Sequence, residues 1–587
     1  MKRLFTSLAA VILITGFTNA SGTKNEKTDQ PGKAGKQEIE IDIELQKKAD
    51  LFLGPYQAEL ERIFSAAATS YWKAAISGKE EDFNAYAAAD LEWSKLHSHR
   101  QSLEKIEELL ARADHLQPLT VRALQVAKLA FKGNQLPQEL LEKMSTRAAQ
   151  IEQIFTKYRA KLEGKEYSNN QLTQMLEKET DSARRQKIWE ALLQVGEVVS
   201  PQLVELARVR NEAARKLGYK NYWDMQIRLQ EHDPEEILTI FAGLDKMTDD
   251  LFKQTKTRLD QELAPRFKIK PEEIMPWHYD NPFFQVPPPS DRVNMDDFYE
   301  SKSKEDIVEI ARTFFREIGL PIDKIIERSD IYEREGKQQS AFTQPMNRKG
   351  DTRVFLNITP NAYWMITTLH EMGHAVYTDN IDPGLPFNLR EAAHNFTTEA
   401  AAKLFGALAQ DPGWLVTYAG AKKDRVKELE PAILEQERRR RLIFARFTLV
   451  MMNFEKALYE NPEQDLNALW WDMRERYQMV KRPAKRNAAD WAAKIHFSTA
   501  PVYYHNYLLG DMLAAQLRAV LVKLAKHRGP IDTLNYAHKE FGDFFKEKVF
   551  KPGMSLPWPE FVKRATGEPL TAKYFANELK YQEPVRE

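Results

Sequence analysis

His370, Glu371 and His374 form the pattern H-E-x-x-H, in which two histidines lie four residues apart. On a helix, this spacing projects both imidazoles from one face. Two neutral imidazoles on one face can bind a single Zn²⁺ ion. Glu371 lies about 100° round the helix from His370, so its carboxylate can take a proton from a water molecule that the ion activates. The chemistry that these three residues predict is metal-assisted hydrolysis.

The residues around this pattern indicate a helix. Thr359 and Pro360 can supply its N-cap and its first-turn proline. Apolar residues then recur at three- and four-residue spacing, at Met365, Ile366, Leu369, Gly373 and Val376. We expect a helix that is apolar on most faces to be buried, and buried histidines need partners. The alternative interpretation of the pattern alone is a helix with two satisfied surface histidines.

A tetrahedral zinc site with one open position needs a third protein ligand. In one class of zinc peptidases this ligand is a histidine ten residues after the first, but that residue is Asn380 here. The other class supplies a glutamate from a following helix. We predict Glu399 as this ligand, in the first turn of a helix capped by Thr397 or Thr398; a glutamate favoured there only by the helix dipole is the alternative. Glu391 is the competing ligand, which we rank lower and prefer as a partner of a metal-binding histidine.

A second group of chemistry-bearing residues lies near the C-terminus, between Lys494 and Tyr507. The oxyanion formed during amide hydrolysis needs hydrogen-bond donors, and a histidine and a tyrosine hydroxyl are suitable. On a helix, Tyr504 and Tyr507 are three residues apart and share a face. Ordinary core packing is the alternative interpretation of these aromatic residues.

Two short strands are predicted just before the H-E-x-x-H helix, over residues 338–345 and 353–358, with a turn signal at 347–350. The free edge of such a strand can pair with an extended peptide and present a scissile amide to the metal. The alternative is a hairpin that only shields the core.

These motifs resemble those of angiotensin-converting enzyme and its peptidyl-dipeptidase family. That family has H-E-M-G-H, then L-R-E, then a ligand glutamate eight residues after the last Glu, and here Glu399 lies eight residues after Glu391. The C-terminal block is similar to the family's K-x-H followed by Y-x-x-Y, and equally to the block of the thimet oligopeptidase relatives. The resemblance runs from about residue 210 to 510.

The resemblance implies roles for several further residues. His496 and Tyr507 would be the oxyanion donors. Lys494 and Tyr504 would hold the C-terminal carboxylate of the substrate, and Ser340-Ala341 would be the strand that pairs with the peptide backbone.

The chain also departs from the family pattern. The family's aspartate four residues after the ligand glutamate, which orients a ligand histidine, is Lys403 here. Another carboxylate must orient that histidine, and Glu391 is a candidate. The arginine that is a chloride ligand in the animal enzymes is Asn506 here, so chloride activation is in doubt. The motifs do not locate the family's carboxylate-binding glutamine, which leaves the cutting register open.

Composition excludes several classes of protein. Lys+Arg and Asp+Glu are both 85, so nothing calls for nucleic acid or an anionic membrane as a partner. The chain has no cysteine, which excludes disulfides and thiolate metal sites. Hydrophobic residues make up 43% of the 587 residues, enough for a sizeable core.

The N-terminus has the form of a secretory signal peptide over residues 1–20. Met1-Lys2-Arg3 is basic, Leu4 to Phe17 is mostly apolar, and cleavage is predicted after Ala20 or nearby. This predicts a secreted or periplasmic protein. The apolar run is short for a membrane span, so an uncleaved anchor is the less favoured alternative. Residues 21–38 are polar and are predicted to form a disordered tether.

For residues 39–587 we predict a single, mainly α domain in two lobes around a deep central cleft, with a small sheet beside the zinc helix. Long helices with charged outer faces are predicted over Glu44–Thr69 (broken or kinked at Gly54-Pro55), Asp82–Ala113, Thr120–Lys132 and Pro137–Glu163. They could form a lid over the cleft or a solvated layer without a gating role. The run of four arginines at 438–441 is interpreted as a solvated face or a buttress, with helical ion pairs to Glu435 and Glu437, and not as a nucleic-acid patch.

The sequence thus predicts a secreted or periplasmic zinc peptidase for short unfolded peptides, which releases C-terminal dipeptides by analogy with the family. An oligopeptidase or carboxypeptidase with another cutting register is the alternative among enzymes. A peptide-binding protein that retains zinc without catalysis is the alternative of another class.

Overall fold

The computed structural model of the chain describes residues 41–289, 292–335, 337–338, 340–529 and 534–580. The predicted signal peptide and tether lie outside these residues. The prediction of a mainly α fold is confirmed, because helices account for most of the described chain and the strands are few and short.

The first part of the chain is a succession of helices with one small hairpin. Its elements are α1 Ile43–Ser77, α2 Glu80–His97, α3 Arg100–Leu110, α4 Pro118–Gly133, α5 Gln138–Lys157, β1 Ala160–Leu162, β2 Lys165–Tyr167, α6 Asn169–Lys178, α7 Ser182–Leu193, α8 Val195–Lys216, α9 Tyr222–Leu229 and α10 Pro234–Phe267.

The second part contains the sheet and the helices that carry the predicted site. Its elements are α11 Lys304–Glu317, α12 Asp323–Arg328, β3 Asp330–Tyr332, β4 Phe342–Pro345, β5 Thr352–Ile358, α13 Ala362–Asp379, α14 Asn395–Ala407, α15 Pro412–Thr417, α16 Lys423–Glu460, α17 Leu466–Met473, α18 His496–Thr499, α19 Tyr504–Leu524, α20 Lys539–Phe544, α21 Trp558–Thr566 and α22 Lys573–Glu578.

Several predicted helix boundaries are wrong, each for a local reason. Helix α1 runs without interruption through Pro55 and ends at Ser77, where Gly78 caps it with a left-handed φ of 66°. The helix predicted over 82–113 is divided between α2 and α3 at Ser98 and His99. The helix predicted to reach residue 163 stops at Lys157, because the chain then forms the β1–β2 hairpin around Gly164, with φ of 79°.

A three-stranded sheet with the order β3-β5-β4 precedes helix α13. β4 pairs antiparallel with β5 from Phe342↔Phe355 to Pro345↔Thr352, and β3 pairs parallel with β5. The predicted hairpin and its turn at 347–350 are confirmed. The first strand is shorter than predicted, since it begins at Phe342.

Helix α1 covers one face of this sheet. Tyr71 packs edge-on against Phe342, with ring centroids 5.2 Å apart, and Trp72 packs against Phe355 at 5.9 Å. The sheet is therefore held between the N-terminal helices and the helix that follows it. Strand β5, which is largely buried, leads directly into α13.

The arginine run lies on α16, and the helical ion pairs predicted for it exist with different partners. Arg439 pairs with Glu435 at 2.8 Å, and Arg440 pairs with Glu437 at 2.7 Å. Arg441 instead contacts Glu578 on α22 at 2.8 Å. This part of α16 therefore joins the C-terminal helix to the rest of the fold.

Candidate active site

Helix α13 places His370 and His374 on one face, as their spacing predicts. Their Nε2 atoms are 3.2 Å apart. The N-cap of this helix is Asn361, whose side chain accepts a hydrogen bond from the Trp364 N–H at 2.9 Å. The prediction of Thr359 as the cap is wrong, because asparagine is the stronger cap and lies directly before the first helical residue.

Glu399 lies in the second turn of α14, one turn deeper than predicted. The N-cap of α14 is His394, whose Nδ1 accepts a hydrogen bond from the Phe396 N–H at 3.2 Å. Thr397 returns a side-chain contact to the His394 N–H at 3.1 Å. Histidine is an uncommon cap, so the threonines were the stronger signal in the sequence.

The structure brings together one ligand atom from each of His370, His374 and Glu399, all within 4.8 Å of one another. Glu399 Oε1 is 3.9 Å from His374 Nε2. Two ligands of a tetrahedral zinc ion, each bound at about 2.1 Å, lie about 3.4 Å apart. Two nitrogens and one carboxylate oxygen at these separations therefore fit a zinc ion.

The electrostatics of His370 and Glu399 agree with metal binding. Burial lowers the pKa of His370 to about 4, so its imidazole is neutral near pH 7. Burial opposes ionisation of Glu399, but His374, His370 and Lys403 outweigh it, and the pKa of Glu399 is lowered. A neutral imidazole and an ionised carboxylate are the forms that ligate a metal.

Three glycines allow the ligand-bearing helices to approach closely. A Cβ on Gly373 would come within 2.8 Å of Ala402 Cα, and one on Gly406 within 3.3 Å of His370 Cβ. A Cβ on Gly510 of α19 would come within 3.1 Å of Glu399 Cβ. Helices α13, α14 and α19 thus meet at the ligands themselves.

Thr398 supports one of the histidines. His374 Nδ1 and Thr398 Oγ1 are 2.7 Å apart, a hydrogen bond that leaves Nε2 facing the other ligands. Glu391, which we predicted for such a role, instead forms an ion pair with Arg348. The side chain that contacts His374 Nδ1 is therefore the hydroxyl of Thr398, the residue next to Glu399, and not the carboxylate of Glu391.

Glu371 is buried beside the histidines and contacts the edge strand. Thr343 Oγ1 on β4 is 2.8 Å from Glu371 Oε2. Burial raises the pKa of the Glu371 carboxyl, and the Thr343 hydrogen bond opposes this shift. A carboxylate with a raised pKa suits proton transfer near neutral pH.

Tyr507 lies on α19, close to two of the three clustered side chains. It lines a cavity of about 550 Å³ together with His370 and Glu399. Burial, and secondarily Glu399, raises the pKa of Tyr507 to about 12, so its hydroxyl remains a proton donor at neutral pH.

His496 lies at the start of α18, with its ring 5.0 Å from that of Tyr504. Its Nδ1 is buried and has no hydrogen-bond partner within the described chain. Burial lowers the pKa of His496 to about 3, which keeps the ring neutral. A neutral imidazole with a buried, unpartnered nitrogen has capacity for a further hydrogen bond.

Lys494 and Tyr504 converge on Gln285, a residue that the sequence analysis missed. Gln285 Oε1 is 2.6 Å from Lys494 Nζ and 3.5 Å from the Tyr504 hydroxyl. Gln285 belongs to the Pro- and aromatic-rich stretch between Met275 and Pro289. The family that the sequence resembles has a carboxylate-binding glutamine. No local motif around Gln285 identified it as a candidate.

Lys494 is a buried cation, only 5% exposed. The rings of Phe283 and Phe447 lie 5.1 and 5.0 Å from its ammonium nitrogen. Among the residues that the structure describes, no carboxylate forms an ion pair with it. Burial accordingly lowers the pKa of Lys494 to about 7. An anion that entered this site would find an unpaired cation.

Ser340-Ala341 lies immediately before β4 and outside the paired strand. The Ser340 carbonyl accepts a hydrogen bond from Asn357 Nδ2 at 3.0 Å. The Ser340 hydroxyl is buried, with no hydrogen-bond partner among the described residues. The paired strand thus begins one residue after Ala341, and the pairing of Ser340-Ala341 with a peptide backbone stays a prediction.

Asn506 is fully buried, and its side chain is used inside the protein. Its Nδ2 donates to Gln230 Oε1 at 2.7 Å, and its Oδ1 lies 3.3 Å from His232 Nε2. This residue therefore contributes a neutral packing contact where an arginine was expected from the family.

No helix within the described ranges combines the length and apolar character that membrane crossing requires.

Comparisons with known proteins agree with this geometry. The pig angiotensin-converting enzyme is 24% identical over 402 residues, which cover 64% of this chain and 30% of the pig protein. The enzyme of the leech Theromyzon tessulatum is 24% identical over 399 residues, covering 63% of this chain and 64% of the relative. The rabbit enzyme is 28% identical over 242 residues, which are 39% of this chain and 18% of that protein.

The chain thus spans about a third or less of the length of the pig and rabbit enzymes it matches. The family model described as angiotensin-converting enzyme matches residues 43–587, which is nearly the whole chain. The protein therefore belongs to the angiotensin-converting enzyme family.

Proposed function

We propose that this protein is a zinc-dependent peptidase that releases dipeptides from the C-terminus of short peptides. The observation that carries the proposal is the convergence of His370, His374 and Glu399 within 4.8 Å, with Glu371 buried beside them. A hydrophobic core that extends from Leu45 to Leu579 supports a single peptidase domain, as we predicted for residues 39–587.

His370, His374 and Glu399 would hold the zinc ion. When bound, zinc would supply Lewis acidity, which polarises a carbonyl and makes a water molecule nucleophilic near neutral pH. Thr398 orients His374 through its hydrogen bond at 2.7 Å.

Glu371 is the general base in this proposal. Its carboxylate takes a proton from the attacking water and later passes it to the leaving amine, a contribution of about 10²–10⁴-fold. Thr343 holds this carboxylate from the edge strand at 2.8 Å. Because the strand and the base are in contact, a peptide aligned along β4 would lie next to the proton acceptor.

Tyr507 and His496 donate hydrogen bonds to the oxyanion that develops on the scissile carbonyl. Both are neutral donors near pH 7, since burial raises the pKa of Tyr507 to about 12 and lowers that of His496 to about 3. Loss of one such donor typically lowers kcat by about 10²–10³-fold.

Lys494, Tyr504 and Gln285 would bind the C-terminal carboxylate of the peptide. The three side chains offer an ammonium, a hydroxyl and an amide around one point. A carboxylate would supply the charge partner that buried Lys494 lacks among the described residues. Binding the peptide by its end fixes which bond is cut, and this supports a dipeptidase over an internal cutter.

A secreted or periplasmic location is part of the proposal. It rests on the signal-like pattern of residues 1–20, with its basic start, apolar run and small residue at Ala20.

The test is a mass-spectrometric digest of a defined peptide mixture with free and amidated C-termini, with and without a zinc chelator. We expect C-terminal dipeptides from the free-acid peptides, and loss of cleavage with the chelator. Internal cuts would favour an oligopeptidase, and single released residues a carboxypeptidase. Zinc-dependent peptide binding without any cleavage would contradict the proposal and favour a binding protein.

A further inference from the structure

Lys403 connects the helix of the third ligand to the helix of the oxyanion donor. It lies one turn after Glu399 on α14, and its Nζ donates a hydrogen bond to the main-chain oxygen of Tyr507 at 2.6 Å. The same Nζ forms an ion pair with Asp511 Oδ2 at 3.0 Å. Since Tyr507 and Asp511 are four residues apart, Lys403 contacts one face of α19 over a full turn.

These contacts add to the internal bonds of α19. In an α-helix, a carbonyl oxygen accepts a bond from the N–H four residues later, and its second lone pair remains available. The ammonium group of Lys403 donates to this second lone pair on the main-chain oxygen of Tyr507. The side chains of Lys403 and Asp511 are 21% and 17% exposed, so water weakens this ion pair less than it weakens a fully exposed one.

The close contact between α19 and α14 at Gly510 restricts the distance between the two helices, and Lys403 restricts their relative orientation. Gly510 sets how closely α19 approaches Glu399, because a Cβ there would lie 3.1 Å from Glu399 Cβ. A glycine contact limits distance, and rotation of the helix about its own axis has to be opposed by other contacts, such as the hydrogen bond from Asn506 Nδ2 to Gln230 Oε1 at 2.7 Å. Such a rotation would move the Tyr507 side chain relative to Glu399, and the two bonds of Lys403 oppose it.

We propose that Lys403, acting with Asp511, is a positioning residue that holds the Tyr507 hydroxyl at its working distance from the metal ligands. The inference rests on the proposed function, because it is the donor role of Tyr507 that this positioning serves. Lys403 also lines the cavity at the site. Two of its three N–H donors are already used by Tyr507 and Asp511, which favours positioning over substrate binding.

The kinetic test is a double-mutant cycle on the zinc-loaded full-length protein. We expect Lys403→Met to lower kcat by about 10- to 100-fold, the effect of a displaced group, with little change in KM. In a Tyr507→Phe background there is no hydroxyl to position, so the same substitution should change kcat by less than about twofold. Asp511→Asn should reproduce the effect of Lys403→Met.

Two further variants sharpen the cycle. Lys403→Arg retains a cation and should recover part of the lost kcat. Lys456→Met is the matched control, because it removes an ion pair with Glu460 at 2.6 Å, one turn along the same helix, that includes none of the proposed site residues. It should leave kcat unchanged.

Three outcomes would overturn the positioning role. They are an equal loss of kcat from Lys403→Met in both backgrounds, a rise in KM with unchanged kcat, and a loss of bound zinc. If the Lys403→Met protein does not fold, the same double-mutant cycle is measured with Asp511→Asn and Tyr507→Phe.

A crystal structure of the Lys403→Met protein gives a readout that does not depend on activity. We expect the Tyr507 hydroxyl to lie farther from the Glu399 carboxylate than in the wild type. An unchanged Tyr507 would refute the positioning role even if the protein is an active peptidase. An inactive wild-type protein would instead refute the proposed function, and the crystallographic comparison would still decide the role of Lys403.

Discussion

Thr343 Oγ1 lies 2.8 Å from Glu371 Oε2 and also 2.8 Å from the main-chain oxygen of the same residue. A hydroxyl has one proton, so it donates to one of these oxygens at a time. The edge strand β4 is thereby joined to the buried carboxylate that we propose as the general base.

We expect Thr343→Val to lower kcat by about 10- to 100-fold, because a hydrogen bond to a charged group contributes about 1.5–3 kcal/mol. KM for a short peptide should change little. Steady-state kinetics will test this, with Thr257→Val as the control, since Thr257 bonds only within its own helix at 2.8 Å from the Lys253 oxygen. A change in KM alone would mean that Thr343 contacts the substrate and does not orient the base.

Glu371→Gln should retain zinc and lose about 10²–10⁴-fold in kcat, since an amide cannot accept the proton of the attacking water. Metal analysis and peptide hydrolysis should be measured on the same preparation. Activity near that of the wild type would show that another group is the base.

Glu399→Ala should weaken zinc binding far more than Glu391→Ala. Loss of a residue that supports a ligand typically weakens metal affinity by about 10–100-fold. We expect Glu399→Ala to exceed that range and Glu391→Ala to fall below it, because Glu391 contacts Arg348. Competition with a zinc chelator measures both affinities, and the reverse order would identify Glu391 as the ligand.

The preference for a free C-terminal carboxylate should depend on pH. A lysine is charged below its pKa, and burial lowers the pKa of Lys494 to about 7. The ratio of kcat/KM for a free-acid peptide to that for its amide should therefore be constant well below pH 7. Above pH 7 it should fall, by up to about tenfold per pH unit.

Groups that act on both peptides affect the two kcat/KM values equally, so their titration cancels in the ratio. Lys494→Met should give a low ratio that does not vary with pH. A wild-type ratio that is constant from pH 6 to 9 would show that Lys494 does not bind the carboxylate.

Tyr507→Phe should lower kcat by about 10²–10³-fold with a much smaller effect on KM, because the hydroxyl bonds the oxyanion and not the ground-state peptide. Binding of a non-cleavable peptide to zinc-loaded protein gives the affinity separately. A loss confined to affinity would assign Tyr507 to substrate binding.

The mainly α fold class and the helix that contains His370 and His374 could be predicted from the sequence, because hydrophobic periodicity is a local signal. The spacing of His370 and His374 fixed their common face without any tertiary information. The start of α14 was misplaced because His394 is an uncommon cap, yet Glu399 still lies within reach of both histidines. Local pattern therefore predicted the convergence of these three side chains better than the start of the helix that carries Glu399.

Residues that act through distant contacts were not predictable in this way. Gln285 meets Lys494 across 209 positions of sequence, and no periodicity relates the two. Thr343 and Thr398 gave no motif, because a single hydroxyl becomes informative only when its partner is known. Lys403 was noted as a departure from the family, and only the packing of α14 on α19 shows what it contacts.

The glycine contacts at Gly373, Gly406 and Gly510 have a consequence for how this site can change. A Cβ at Gly406 or Gly510 would meet the main chain and a Cβ of the opposing helix. A larger side chain at any of the three glycines would therefore require a helix to move. Such a movement would change the separation of His370, His374 and Glu399, which now lies within 4.8 Å. The size of the proposed ion pocket is therefore set as much by three residues without side chains as by the side chains that line it.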